Sequence, residues 1–166
     1  MIEWTNRFLT PTSLGEHEVF VFTTNAQGFH GAGAAGAAMR GDSKNNWRDD
    51  RAFLAASKAP EGSPLRVGHW AVYGVARGLQ VGKHGRSYGV QTVTRPGAKK
   101  SITRRDIYAQ LIELWAYAKA NPKLTFLVPP VGEGYAGWSR EEMNVVWEWL
   151  VQKHGLPENV TFIGRS

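Results

Sequence analysis

The sequence contains no cysteine. Disulfide staples, thiolate zinc sites, iron–sulfur clusters and a cysteine nucleophile are excluded together. No apolar run approaches the ~18 residues that a membrane helix needs. The opening Met1-Ile2-Glu3-Trp4-Thr5-Asn6-Arg7 carries an early acid and no apolar core, so it does not read as a signal peptide. There is no G-x-x-x-x-G-K-[ST] phosphate loop and no G-x-S-x-G nucleophile elbow. His17, His30, His69, His84 and His154 lack zinc-ligand spacing. The expectation is a soluble, cytoplasmic protein with no metal and no cofactor. Acidic residues are also missing from one long stretch. Between Gly62 and Arg105 there is no Asp or Glu, while Arg66, Arg77, Lys83, Arg86, Arg95, Lys99, Lys100, Arg104 and Arg105 all fall inside it.

The 166 residues, 42% of them hydrophobic and 20% charged, are too apolar for a disordered chain and sufficient for one core. The net charge of +6 is concentrated in the 62–105 stretch. A one-sign stretch attracts anions, either a phosphate-bearing ligand or nucleic acid, or it is a solvated basic surface.

His17–Thr24 alternates β-branched and aromatic residues and predicts a strand. The glycine-rich segment Asn25–Gly33 follows, and then the small-residue Ala34–Met39, which is helix-competent. Residues 41–46 read as a loop, Trp47–Ser57 as a short helix, and Trp70–Tyr73 and Ser87–Val93 as strands. Thr103 with Asp106 resembles a capping box ahead of Ile107, Leu111, Leu114, Trp115 and Ala118 at helical spacing, and Asn121-Pro122 stops the helix. Ser139 with Glu142 is a second box, before Met143, Val146, Trp147 and Leu150, and His154-Gly155 ends that helix. Leu124–Val128 and Val160–Ile163 are continuous apolar runs of buried-strand type. Strands alternating with helices predict an α/β fold with a largely buried sheet, and the lack of repeats or linkers predicts one domain over 1–166.

Two loops leave the carboxyl ends of predicted strands: Asn25–Gly33 and Pro129–Gly137. Ligands of open α/β sheets bind at such ends. Glycines there let backbone N–H groups approach an anion. Two structural turns are the plain alternative. Gly28-Phe29-His30-Gly31-Ala32-Gly33 is not a G-x-G-x-x-G in frame.

Phe20-Val21-Phe22-Thr23-Thr24-Asn25 followed by Gly28-Phe29-His30-Gly31-Ala32-Gly33-Ala34-Ala35 resembles the opening of a family of small phage and bacterial proteins. Their pattern runs F-G-S-N, then G-x-H-G-x-G-A-A. The likeness continues through Gly78-Leu79-Gln80, Gly85–Thr92 and Val131–Trp138. That family is similar to the macro domains, which bind ADP-ribose. The resemblance implies a three-layer α/β/α fold with a mixed sheet. It also implies ADP-ribose or a related NAD-derived nucleotide as ligand, in a pocket formed by Asn25, Gly28, Gly31, Gly33 and Ala34 and by Gly132, Gly134, Tyr135, Ala136 and Gly137. Asn25 stands where the macro-domain asparagine contacts the distal ribose. Gly134 and Gly137 stand in the loop that cradles the diphosphate. The sequence departs from the pattern at Glu133, which replaces a hydroxyl residue, at Thr23-Thr24, and in lacking the Gly-Asp motif that reads adenine.

Hydrolysis of an ADP-ribosyl bond needs an oriented water and a proton acceptor. Asn25, His30 and Glu133 are the candidates. His30 is otherwise a loop histidine bonded to backbone, and Glu133 a carboxylate near a helix N-terminus. A non-catalytic phage protein that sequesters a nucleotide immune signal is a second class of reading. Nucleic-acid binding through the 62–105 stretch is a third.

Overall fold

A computed structural model describes residues 2–7, 15–26, 78–82 and 85–165, with the backbone alone for 78–82 and 85–86. In chain order the elements are β1 (Trp4–Thr5), β2 (Glu18–Asn25), β3 (Gly78–Gly82), β4 (Gly85–Val93), α1 (Arg104–Ala120), β5 (Thr125–Val128), a 3-10 turn (Gly134–Ala136), α2 (Arg140–His154) and β6 (Val160–Ile163). The predicted segments 34–39, 47–57 and 70–73 lie outside the described residues. β1 and β3 were not expected. β1 is only two residues long, and β3 is a glycine-bounded GLQVG with little alternation.

The strands form one sheet in the order β1-β6-β5-β2-β4-β3. All neighbouring pairs are parallel except the β3–β4 hairpin, so the sheet is mixed. Parallel pairing requires crossovers, and α1 supplies the one from β4 to β5. Parallel register also puts the carboxyl ends of β2, β4, β5 and β6 at one end of the sheet.

One face packs on the two helices. Val19, Val21, Tyr88, Val90, Phe126, Val128, Val160 and Phe162 meet Ile107, Leu111, Leu114, Trp115, Met143, Val146, Trp147 and Leu150 in a single cluster. Every apolar helix position expected from periodicity is buried. The second face is covered too: Phe22 is wholly buried, and Phe20, Leu127 and Ile163 nearly so. Burial on both faces explains why these strands read as continuous apolar runs.

Local chemistry fixes the helix ends. Around Ser139 both halves of the capping box form, Glu142 N–H to Ser139 Oγ and Ser139 N–H to Glu142 Oε1, at 3.1 Å each. Thr103 accepts from Asp106 N–H at 3.2 Å, and only this half is made there, because aspartate is one methylene shorter than glutamate. Gly155 closes α2 at φ +72°. The Nδ2 of Asn159 reaches the carbonyls of Ala118, Asn121 and Leu124 at 2.8–3.0 Å, tying the end of α1 to the start of β5. Buried Gln110 donates to Gln91 O (2.7 Å) and accepts from Gln91 N–H (2.8 Å), as a neighbouring strand would, just beyond the point where β3 stops pairing at Gly89.

Candidate functional site

β2 ends in Asn25, which is buried at 6% exposure. Its pairing with β4 slips by one residue there, so that Asn25 faces Val93, and Ala26 N–H bonds Val93 O at 2.9 Å. A register slip of this kind re-aims a side chain at the end of a strand. The partners of β2 on either side, β4 and β5, each run into a loop at this same end: 94–101 after β4 and 129–137 after β5.

Those two loops touch. Lys100 N–H donates to Ala136 O at 2.7 Å. A Cβ placed on Gly137 would lie 2.9 Å from the Lys99 Cβ, so the glycine lets the chains close on each other. Lys100 adopts φ +56°, the only non-glycine among the described residues in the left-handed region. Such a conformation costs energy and persists where surroundings hold it; here the Ala136 bond does so. The cations Lys100 and Arg104 lie 5.2 and 5.3 Å from the ring centroid of Trp138, whose Nε1 donates to Ile102 O. The end of the 62–105 basic stretch is therefore folded against the second glycine loop.

Within that loop Gly132, Gly134 and Gly137 have φ of +84°, +62° and +93°. They differ in what surrounds them. A Cβ at Gly132 would meet Met143 Sδ at 2.6 Å, whereas one at Gly134 would meet nothing within 4 Å. Gly132 is thus a packing glycine, and Gly134 keeps open backbone at the surface. Tyr135 beside it is 90% exposed, while Ala136 is buried. Of the predicted site residues, Asn25, Gly132, Glu133, Gly134, Tyr135, Ala136 and Gly137 are described and share the carboxyl end of the sheet. Gly28, His30, Gly31, Gly33 and Ala34 lie outside the described residues.

Glu133 has a definite environment. Its Oε2 accepts a hydrogen bond from Arg165 Nη2, and its Oε1 is 3.6 Å from Arg140 Nε. Arg165 follows β6 and is 8% exposed. Its Nη1 donates to Asn144 Oδ1 at 3.1 Å, and its guanidinium lies 4.1 Å from the Trp4 ring centroid. Reading along the chain missed Arg165, Arg140 and Asn144. The one available signal was a Gly-Arg pair directly after the last apolar run, at the end of the sheet where the loops gather. A cavity of about 660 Å³ lies along α2 and β1, walled by Trp4, Trp147 and Arg165; neither Asn25 nor a residue of the glycine loop lines it.

This architecture matches known structures over its whole length. The macrodomain of Mycobacterium tuberculosis DarG is similar at TM-score 0.64 and 18% identity, with 100% of both chains covered. The macrodomain of Thermus aquaticus DarG is similar at 0.57 and 13%, covering 100% of this chain and 99% of that one. The fold is a macrodomain fold. The alphavirus P23pro-zbd structure is similar at 0.53 and 17%, covering 98% of this chain and 22% of that one. No family model and no curated protein matches the sequence. The expected α/β macro-like architecture and mixed sheet are present, with one helical layer among the described residues. No helix among the described residues is long and apolar enough to cross a membrane.

Proposed function

We propose that the chain binds ADP-ribose or a related NAD-derived nucleotide at the carboxyl end of the sheet, with the diphosphate on the 132–137 loop and the distal ribose beside Asn25. The observation that carries this reading is the packing of Lys99 and Lys100 onto the loop whose Gly134 backbone stays open. Backbone N–H groups without side-chain cover, with the Lys100 ammonium over the Trp138 ring just after the same loop, suit a diphosphate. The macrodomain fold supports the same reading. Gly28, Gly31, Gly33 and Ala34 are the proposed second wall. The proposal extends to hydrolysis of an ADP-ribosyl bond, with Asn25 orienting a ribose hydroxyl or water and His30 moving the proton.

Thermal shift with ADP-ribose, cyclic ADP-ribose, ATP and NAD tests binding. A ligand at ~100 times its Kd stabilises by about 2.7 kcal/mol, enough to read as several degrees. Asn25→Ala and Gly134→Glu are each expected to remove the shift while the apo melting curve stays cooperative. No shift with any of the four overturns the reading. Chromatography after incubation separates turnover from sequestration: intact ligand recovered on denaturation means a sequestering protein. Binding to DNA with a steep salt slope, untouched by Asn25→Ala, would favour the nucleic-acid reading instead.

A further inference from the structure

We infer that Arg165 is a positioning and charge-selecting residue: it neutralises and holds Glu133, and so makes the glycine loop receptive to an anion. The inference rests on the binding mode proposed above and names a residue that contacts no ligand in it.

The problem starts in the sequence. Glu133 directly precedes Gly134, so the chain places a carboxylate beside the backbone meant for a diphosphate. Like charges at such range repel strongly where water is partly excluded. The tertiary structure answers this from two sides. Arg165 bonds Oε2 from within the protein, and Arg140 approaches Oε1 from the solvent side at 3.6 Å. Their exposures set their roles. The Arg140 side chain is 60% exposed, whereas the Arg165 side chain is 7% exposed. An exposed pair is screened and loosely held, and a buried one is not.

Arg165 is also built to stay in place. Its Nη1 is bonded to neutral Asn144 and its face rests on Trp4, while its buried Nε has no hydrogen-bond partner among the described residues. Its backbone N–H is tied to Thr5 O at 3.1 Å. Gly164, at φ +85° and where an added Cβ would crowd Pro130 Cδ at 3.2 Å, lets the chain turn in beside the loop. Among the described residues, Glu133 is the carboxylate that pairs with this nearly buried cation. With both arginines present the cluster carries one net positive charge. Without Arg165 the carboxylate keeps only a solvent-exposed partner, free to swing toward the anion.

A cycle of ADP-ribose titrations by calorimetry, on the full chain, tests this. Arg165→Met is expected to weaken binding about tenfold or more. Glu133→Gln is expected to tighten it by roughly threefold, since a neutral amide no longer opposes the anion. The double variant is expected to recover to within about threefold of wild type, and Arg165→Lys to fall between. A double variant as weak as Arg165→Met would mean that Arg165 acts through packing, and would overturn the inference. So would unchanged binding by Arg165→Met. If Arg165→Met fails to fold, Glu133→Gln decides: binding weakened by about tenfold would place the carboxylate on the ligand and overturn the inference, and tighter binding upholds it. Absence of ADP-ribose binding by wild type would sink the proposed function and this inference together, whereas wild-type binding without rescue sinks only this one.

Discussion

The helix-packed face of the sheet and the carboxyl-end loops obey different rules. Trp115, Trp147, Phe162 and Leu150 are at most 2% exposed, and the Trp115 Nε1 donates to Gly155 O at 2.8 Å. The rings of Trp115 and Trp147 lie 6.3 Å apart, and those of Trp147 and Phe162 5.3 Å. A few residues away, the loops hold Lys100 and four glycines in left-handed conformations, a 90% exposed tyrosine, and clustered cations. The first region removes apolar surface from water, the main source of stability. The second keeps polar backbone open, which contributes little to folding and is what an anion needs. A binding surface is drawn from the costly part of the structure, on a scaffold stable enough to hold it.

If that division holds, changes in the core alter stability and leave affinity alone, and changes at the open glycine do the reverse. Trp115→Ala removes a buried ring and a satisfied N–H. It is expected to cost about 3–5 kcal/mol by urea unfolding, with ligand affinity of the folded fraction near wild type. A large loss of affinity would break the distinction. Gly132→Ala sits on the boundary. Its new methyl would meet fully buried Met143 at a positive φ, and it is expected to cost about 2 kcal/mol and to disturb the loop as well. Gly134→Ala meets no atom, so only its φ of +62° is penalised, by about 1 kcal/mol, while ADP-ribose binding should fall by more than about tenfold. Equal effects of these two alanines on stability and on binding would erase the contrast between packing glycine and open glycine.

The smallest effect lies far from both regions. Arg7 donates twice to Glu18, at 2.8 and 2.9 Å, and holds the Glu18 carboxyl below its ordinary value, helped by the Gly15 N–H against the opposing effect of burial. A lowered folded-state value means the stabilisation is present above the ordinary carboxylate pKa and fades as pH falls through the lowered one. With Arg7 43% exposed, the pair is worth on the order of 0.5 kcal/mol, less in salt. Arg7→Ala should therefore lower the urea midpoint slightly at neutral pH and not at all near pH 2.

Legibility in the sequence followed the range of the interaction responsible. Ser139–Glu142 was readable because the capping box closes within three residues, and the buried faces of α1 and α2 were readable because 3.6-residue periodicity is local. The glycine loop after β5 was visible as composition, but the separate duties of Gly132 and Gly134 were not, since Met143 reaches one and nothing reaches the other. β3 escaped notice because its flanking glycines weaken the alternation, and its pairing with β4 gives it its strand character.

Periodicity, caps and apolar runs thus determined the two described helices, four of the strands and the end of the sheet at which the loops gather. Only the tertiary structure decided that Lys100 would close on Ala136 and that Arg165, from beyond the last strand, would meet Glu133. Helical and strand patterns are imposed by neighbours a few residues away, whereas the partner of a charge is whichever opposite group the completed fold delivers, and sequence distance carries no trace of it.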